Sequence, residues 1–174
     1  MKMNKHYNEL KASYLFVDIA HKVAAYQEAA AAKAAALALA QAGCRVTVCA
    51  RTPEKAAALA ARCGGVTASW GDLPRAAAEH GLLLNATPLG MEGSPEFESL
   101  DFVQALPAKA VVYDLVYHPT DTALLRAAEH RGLTAVGGLA LLVQQAALAF
   151  AYFTGIVPDA ALCRDILQEL EAAQ

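Results

Sequence analysis

The chain has 174 residues, 56% of them hydrophobic and 18% charged, which fits one globular domain, or one plus an arm, and excludes a disordered polymer. Its 14 basic residues against 17 acidic ones leave a net charge of -3, so no overall field favours binding to nucleic acid. The longest apolar stretch, Ala29 to Ala42, is mostly alanine, is broken by Lys33 and Gln41, and falls short of the roughly 20 residues a membrane span needs.

At the N-terminus, Met1 to Leu10 is polar and lacks the apolar core of a secretory signal. Cys44, Cys49, Cys63 and Cys163 form no CxxC pair and have no histidine at metal spacing, so they read as ordinary thiols in a reducing compartment, with no metal site. The cytoplasm is the expected location. Tyr14-Leu15-Phe16-Val17 suits a short strand. From Asp18 to Ala42 no proline or glycine interrupts a run of strong helix formers, so a helix is expected there, starting anywhere from Asp18 to Gln27.

From Cys44 onward one pattern repeats: a short apolar run, a turn, a helical stretch. Residues 45–49 read as a strand, and Pro53 to Arg62 as a helix with Thr52 at its N-cap and Gly64-Gly65 as its stop. Val66 to Ala68 is a short strand and Leu73 to Glu79 a short helix. Leu82 to Ala86 and Ala110 to Leu115 are buried strands, the second followed by a helix over Thr122 to Arg131 that ends at Gly132. Thr134 to Val136 is the last strand, followed by helices over Leu139 to Thr154 and Asp159 to Ala173. Continuous apolar strands alternating with helices predict an α/β fold, a Rossmann-like doubly wound, mainly parallel sheet with a helical N-terminal arm.

A nucleotide-binding sheet of this kind opens with a strand, a glycine-rich turn and a helix whose N–H groups meet a pyrophosphate. The helix over 31–42, the strand over 45–49 and the Arg51-Thr52 turn occupy the places of its first helix, second strand and second turn. An acidic residue after the second strand would suit a ribose hydroxyl. Arg51 stands there instead and suits a 2′-phosphate, hence NADP, unless it is simply a solvated turn residue.

Four blocks of residues now resemble one family. They are Val46 to Ala56 (VTVCARTPEKA), Leu84 to Met91 (LNATPLGM), Tyr113 to Pro119 (YDLVYHP), and Gly138-Leu139 with Leu142 to Phe150 and Thr154-Gly155. Together, in this order over residues 31–174, they are similar to the NADP-binding domain of shikimate dehydrogenase. The resemblance implies an oxidoreductase of chorismate and aromatic amino-acid biosynthesis, interconverting shikimate and 3-dehydroshikimate. It places Arg51, Thr52 and Lys55 on the cofactor's 2′-phosphate turn, Asn85 and Thr87 on a loop passing the cofactor, and Leu115 and Gly138 near the nicotinamide. Tyr117 and Gln145 match the positions that hydrogen-bond shikimate. From the residues alone, Tyr117 equally suits an aromatic packed at a strand end, and Gln145 a polar residue on the exposed stripe of its helix.

Three departures from the pattern bear on activity. The positions of the glycine turn are Gln27, Glu28, Ala29 and Ala30, whose Cβ atoms obstruct close approach to a pyrophosphate, with Glu28 repelling it. The family's Gly-Met pair is Ala140-Leu141 here, and the Asp before Gly138 is Gly137. The preceding substrate domain, source of the family's catalytic Lys and Asp, has no counterpart, so no catalytic residue is assigned. Residues 6–28 resemble the start of LL-diaminopimelate aminotransferase, which divides the chain into an arm over 1–28 and a Rossmann-like domain over 29–174. Loss of the first strand predicts a hole in the sheet, a continuous helix through residues 27–30, and a homo-oligomer or a second chain supplying the missing domain. Two functional readings follow: an NADP-linked shikimate dehydrogenase completed by another chain, or a non-catalytic remnant or fusion acting as a partner-binding module.

Overall fold

The computed structural model describes residues 30–172. The expected strand at Tyr14 to Val17, the aminotransferase-like arm and positions 27–29 of the former glycine turn lie outside the described residues. Residues 30–41 are helical (α1), so Ala30 sits in a helix.

Strand β1 (Thr47–Cys49) leads through the Arg51-Thr52 turn to helix α2 (Pro53–Cys63). Pro53 fits the first helical position because that amide has no intrahelical acceptor. Gly64 ends the helix in the left-handed conformation, φ 65°, and its N–H donates to the Ala60 carbonyl. Strand β2 (Val66–Ala68) pairs parallel with β1, Thr47 opposite Val66. A single 3-10 turn, Trp70–Asp72, then runs into α3 (Leu73–Ala77), the hydroxyl of Ser69 accepting from the Asp72 amide at its start.

Strand β3 (Leu82–Asn85) is followed by a long loop and by α4 (Asp101–Ala105). Strand β4 (Val111–Asp114), helix α5 (Ala123–His130) and strand β5 (Thr134–Val136) come next. The chain closes with α6 (Gly138–Thr154) and α7 (Ala160–Ala172). Strands β3, β4 and β5 form a second parallel sheet in that order, with Leu82 opposite Val111 and Val111 opposite Thr134.

Among the described residues the sheet is therefore in two pieces, β1-β2 and β3-β4-β5, divided where the first strand of a doubly wound sheet would lie. Two side-chain links join the beginnings of β1 and β3. Arg45 donates to the Glu79 carbonyl at 3.1 Å, and Thr47 Oγ1 lies 3.0 Å from His80 Nε2. His80 Nδ1 is 2.8 Å from the Ala76 carbonyl, which can only accept, so Nδ1 carries a proton and donates it there. Within each piece the strands are parallel, so the C-terminal ends of β1 and β2 share one edge, and those of β3, β4 and β5 share another.

The main core lies in the larger piece. Phe102, Val103 and Leu106 of the α4 region pack with Val112, Leu124 and Ala128. The sequence had not announced α4, whose five residues are too few for a helical period to register. Ser99 Oγ accepts from the Asp101 amide at its start, and Arg131 donates to the Val103 and Leu106 carbonyls at its end. Among the described residues the other elements appear as expected, with some strands trimmed at their ends: β1 begins at Thr47 rather than Arg45, and β4 spans four residues rather than six.

Candidate functional site

The parallel strands place every expected site residue except Gln145 at or just beyond a strand's C-terminal end or within the first turn of the helix after it, where ligands of open α/β sheets bind. Arg51, Thr52 and Lys55 follow β1 and are exposed. Thr52 is the extended N-cap of α2, but its side chain makes no capping hydrogen bond; only its carbonyl is used, accepting from the Lys55 and Ala56 amides. A hydroxyl, a guanidinium and an ammonium thus lie within five positions at one solvent-facing helix start, with Glu54 as the opposing charge in the same turn.

At the end of β3 and just past it, Asn85 and Thr87 are occupied with each other. Asn85 Oδ1 accepts from the Thr87 amide at 3.0 Å and from its hydroxyl at 2.7 Å, while Thr87 Oγ1 accepts from the Leu89 amide at 3.3 Å. Asn85 Nδ2 donates to the Leu89 carbonyl at 3.2 Å and to Asp114 Oδ1 at 2.9 Å. Asn85 is buried, so its polar atoms hold the shape of the 86–90 loop rather than facing solvent.

Asp114 is the residue that sequence reasoning missed. It is fully buried at the end of β4, and its carboxylate accepts from Asn85 Nδ2, from the Val116 amide at 3.1 Å and from Thr122 Oγ1 at 2.7 Å. The same Thr122 hydroxyl accepts from the Leu125 amide, capping α5. One carboxylate therefore ties the β3 loop, the chain after β4 and the start of α5 together. Burial raises its pKa above the ordinary carboxylate value, partly offset by the three donors, with the Glu96 charge adding to the rise. Its signal in the sequence was an acidic residue inside an otherwise apolar strand.

Leu115 and Gly138 meet directly. A Cβ on Gly138 would lie 2.3 Å from the Leu115 carbonyl oxygen and 2.6 Å from that of Val116, so only glycine lets α6 begin against β4. The Gly138 amide donates to the Val116 carbonyl at 3.1 Å. Tyr117, two residues past Leu115, is half exposed. Gln145 lies seven residues beyond Gly138, hence on the same face of α6, about 10 Å further along its axis. Both side chains are open to solvent.

A cavity of about 140 Å³ opens between the two sheet pieces, lined by Thr47 and Cys49 of β1 and by Leu82 to Asn85 of β3. Consecutive residues of β3 line it, so it runs along that strand's edge. It is well below the roughly 300–1,000 Å³ of a ligand pocket, which makes it a gap in the sheet rather than a cofactor cleft. Among the described residues no group of His, Cys, Asp or Glu is placed to hold a metal, and no helix is long and apolar enough to cross a membrane.

Comparison with known proteins bears on the family and the fold. Residues 138–168 match the family described as shikimate 5′-dehydrogenase C-terminal domain. Over 142 residues the chain is 46% identical to the NADP(+) shikimate dehydrogenase of Acidiphilium cryptum, covering 80% of this chain and 51% of that one. The chain belongs to the shikimate dehydrogenase family. A second such relative, from Methylocella silvestris, is 49% identical over 123 residues, covering 70% of this chain and 43% of the relative. This family member thus spans about half the length of the curated relatives it matches. Among solved structures, shikimate 5-dehydrogenase from Thermus thermophilus, in complex with NADP(H) and shikimate, superposes with TM-score 0.63 at 37% identity, covering 76% of this chain and 48% of that one. Quinate dehydrogenase from Corynebacterium glutamicum in complex with NAD superposes with TM-score 0.68 at 30% identity, covering 79% of this chain and 51% of the other. The α/β Rossmann-like architecture is common to them.

Proposed function

We propose that this chain is the cofactor half of a shikimate–3-dehydroshikimate oxidoreductase, and that it recognises NADP(H) through the 2′-phosphate. The observation that carries this reading is the exposed Arg51-Thr52 turn, whose side chains have no hydrogen-bond partner among the described residues, with Lys55 one helical turn on. Its guanidinium and ammonium supply the charge, and its hydroxyl is not used in capping α2. The residues fit the group at that end, while Ala30, at the edge of the former glycine turn, lies in a helix. When bound, NADP+ supplies a hydride acceptor for a carbinol carbon.

In this reading Leu115 and Gly138 shape the floor on which the nicotinamide rests, and Asn85 and Thr87 fix the loop beside it. Tyr117 and Gln145 hydrogen-bond shikimate. Proton transfer to and from the substrate falls to a second polypeptide segment, because no described residue at this edge of the sheet is assigned that role. The four free cysteines agree with a cytoplasmic setting. Residues 6–28 are read as the aminotransferase-like arm. The reading as a partner-binding module without turnover is favoured by the apolar surface of α6 and α7.

Titration with NADPH and NADH, followed by nucleotide fluorescence or thermal shift, tests the proposal. NADPH is expected to bind more tightly than NADH. Replacing Arg51 by alanine should weaken NADPH about 10- to 100-fold, the contribution of a charge-assisted hydrogen bond, and leave NADH nearly unchanged. Equal affinity for the two nucleotides, or an R51A variant indistinguishable from the parent, overturns it.

A further inference from the structure

Strands β1 and β3 each pair on one side, with β2 and β4 respectively, and among the described residues no backbone hydrogen bond joins β1 to β3. Unpaired backbone N–H and C=O groups inside a fold are costly, so sheet edges that face one another across a gap call for a partner. Leu82-Leu83-Leu84 is an unbroken apolar run, the pattern of a strand covered on both faces. All three are nevertheless only half-buried, as are Thr47 to Cys49 across the cavity. The links that cross it, Thr47 to His80 and Arg45 to Glu79, are reached by side chains, as when two strands stand further apart than the roughly 4.8 Å of a paired ladder. Apolar side chains complete its lining: Trp70, Leu73, Phe97 and Phe102 border it together with β1 and β3.

We infer that the slot between β1 and β3 is a strand-docking site, and that its occupant is residues 22–26 of this same chain, Lys22-Val23-Ala24-Ala25-Tyr26, added parallel to β1. Connection length selects this segment. Helix α1 is formed by residue 30 and leads into β1, so a strand ahead of it makes a strand-helix-strand crossover, which sets the two strands parallel. Strands in such units join their helix through about two to six residues. Residues 27–29 make a link of three, whereas a strand at Tyr14 to Val17 would need all of residues 18–29. Chemistry agrees with the choice. Alternate strand residues face opposite ways, so Val23 and Ala25 share a face, and small apolar groups suit the cavity of about 140 Å³. Lys22, the one charged residue of the five, stands at the first position, where its stem carries the ammonium past the strand's end to solvent. Parallel entry brings residues 27–29 to the edge that carries the Arg51-Thr52 turn, which makes them a wall of the site described above.

Cross-strand nuclear Overhauser contacts in the isotope-labelled full chain test the inference. Backbone protons of residues 23–26 are expected to show contacts with both Thr47 to Cys49 and Leu82 to Asn85. Ala24→Pro removes a ladder donor from the middle of the added strand and should speed hydrogen exchange of the β1 and β3 amides at least about tenfold. Phe16→Pro should leave those amides unchanged. Should Ala24→Pro fail to fold, the contacts in the parent chain decide by themselves. Contacts of residues 23–26 confined to neighbours three and four positions away, as in a helix, overturn the inference. So do contacts to β1 and β3 from residues 14–17 instead, or contacts that run between copies in a mixture of labelled and unlabelled chains. No nucleotide is present, so the outcome is separate from that of the NADPH titration.

Discussion

Replacing Asp114 by alanine is expected to destabilise the domain by about 3–5 kcal/mol, since each buried donor left without an acceptor costs about 1–3 kcal/mol. Three donors lose their acceptor at once: Asn85 Nδ2, the Val116 amide and the Thr122 hydroxyl. A loss of that size approaches the whole stability of a small domain. Urea denaturation followed by circular dichroism measures it. A midpoint shift equivalent to less than about 1 kcal/mol would show that water replaces the carboxylate and that the network does not hold the loop.

The same residue predicts a pH dependence. Burial raises the folded-state pKa of Asp114 above its unfolded value, so between the two values the folded chain binds more protons than the unfolded one. Its contribution to stability is full below the unfolded value and is lost as pH rises through the folded one. Asp114→Asn cannot ionise. The stability of the parent relative to Asp114→Asn should therefore fall with rising pH from about pH 4 and then level off. A difference that is flat, or that grows with pH, contradicts the sign.

The second large effect is expected at Gly138. Alanine there forces its Cβ against the Leu115 carbonyl group, which is backbone and cannot rotate away. Overpacking of this kind costs about 1–3 kcal/mol, and a backbone neighbour places Gly138→Ala at the upper end, near 3 kcal/mol. Either α6 slides along its axis or β4 bends, and Gln145, carried by the same helix, moves with it. Gly137→Ala is the control. A Cβ at that position would meet Leu125 Cδ1 at 3.5 Å, an ordinary contact, so a small change is expected. Equal thermal stability of the two variants would remove close approach as the reason for glycine at 138.

The contrast between these residues shows what the sequence carried. Strand and helix identities were legible because apolar runs of three to five residues alternate with helical periods, and because Gly64 and Pro53 punctuate α2. The place of the Arg51-Thr52 turn was legible because Pro53 marks the start of the helix that follows the strand. Short α4 was not, since its stability comes from Phe102 and Val103 packing on distant strands and from Arg131 binding its last carbonyls. Asp114 was hidden because its three donors come from residues up to 29 positions away. Asn85 and Thr87, placed by the resemblance on a loop passing the cofactor, turn their polar atoms on the loop itself, a choice of partner that no spacing encodes.

The division of the sheet bears finally on cooperativity. The packed core draws its residues from the β3-β4-β5 side, whereas the β1-α2-β2 unit buries little beyond Ala56 and Ala60. Local opening of that unit therefore requires less free energy than global unfolding, and its amides should exchange with solvent ahead of those in β4. Arg51, Thr52 and Lys55 all reside on this weaker unit. A nucleotide held there would act on a folding equilibrium as well as on a binding site, and part of its intrinsic affinity would go into ordering the subdomain that grips it.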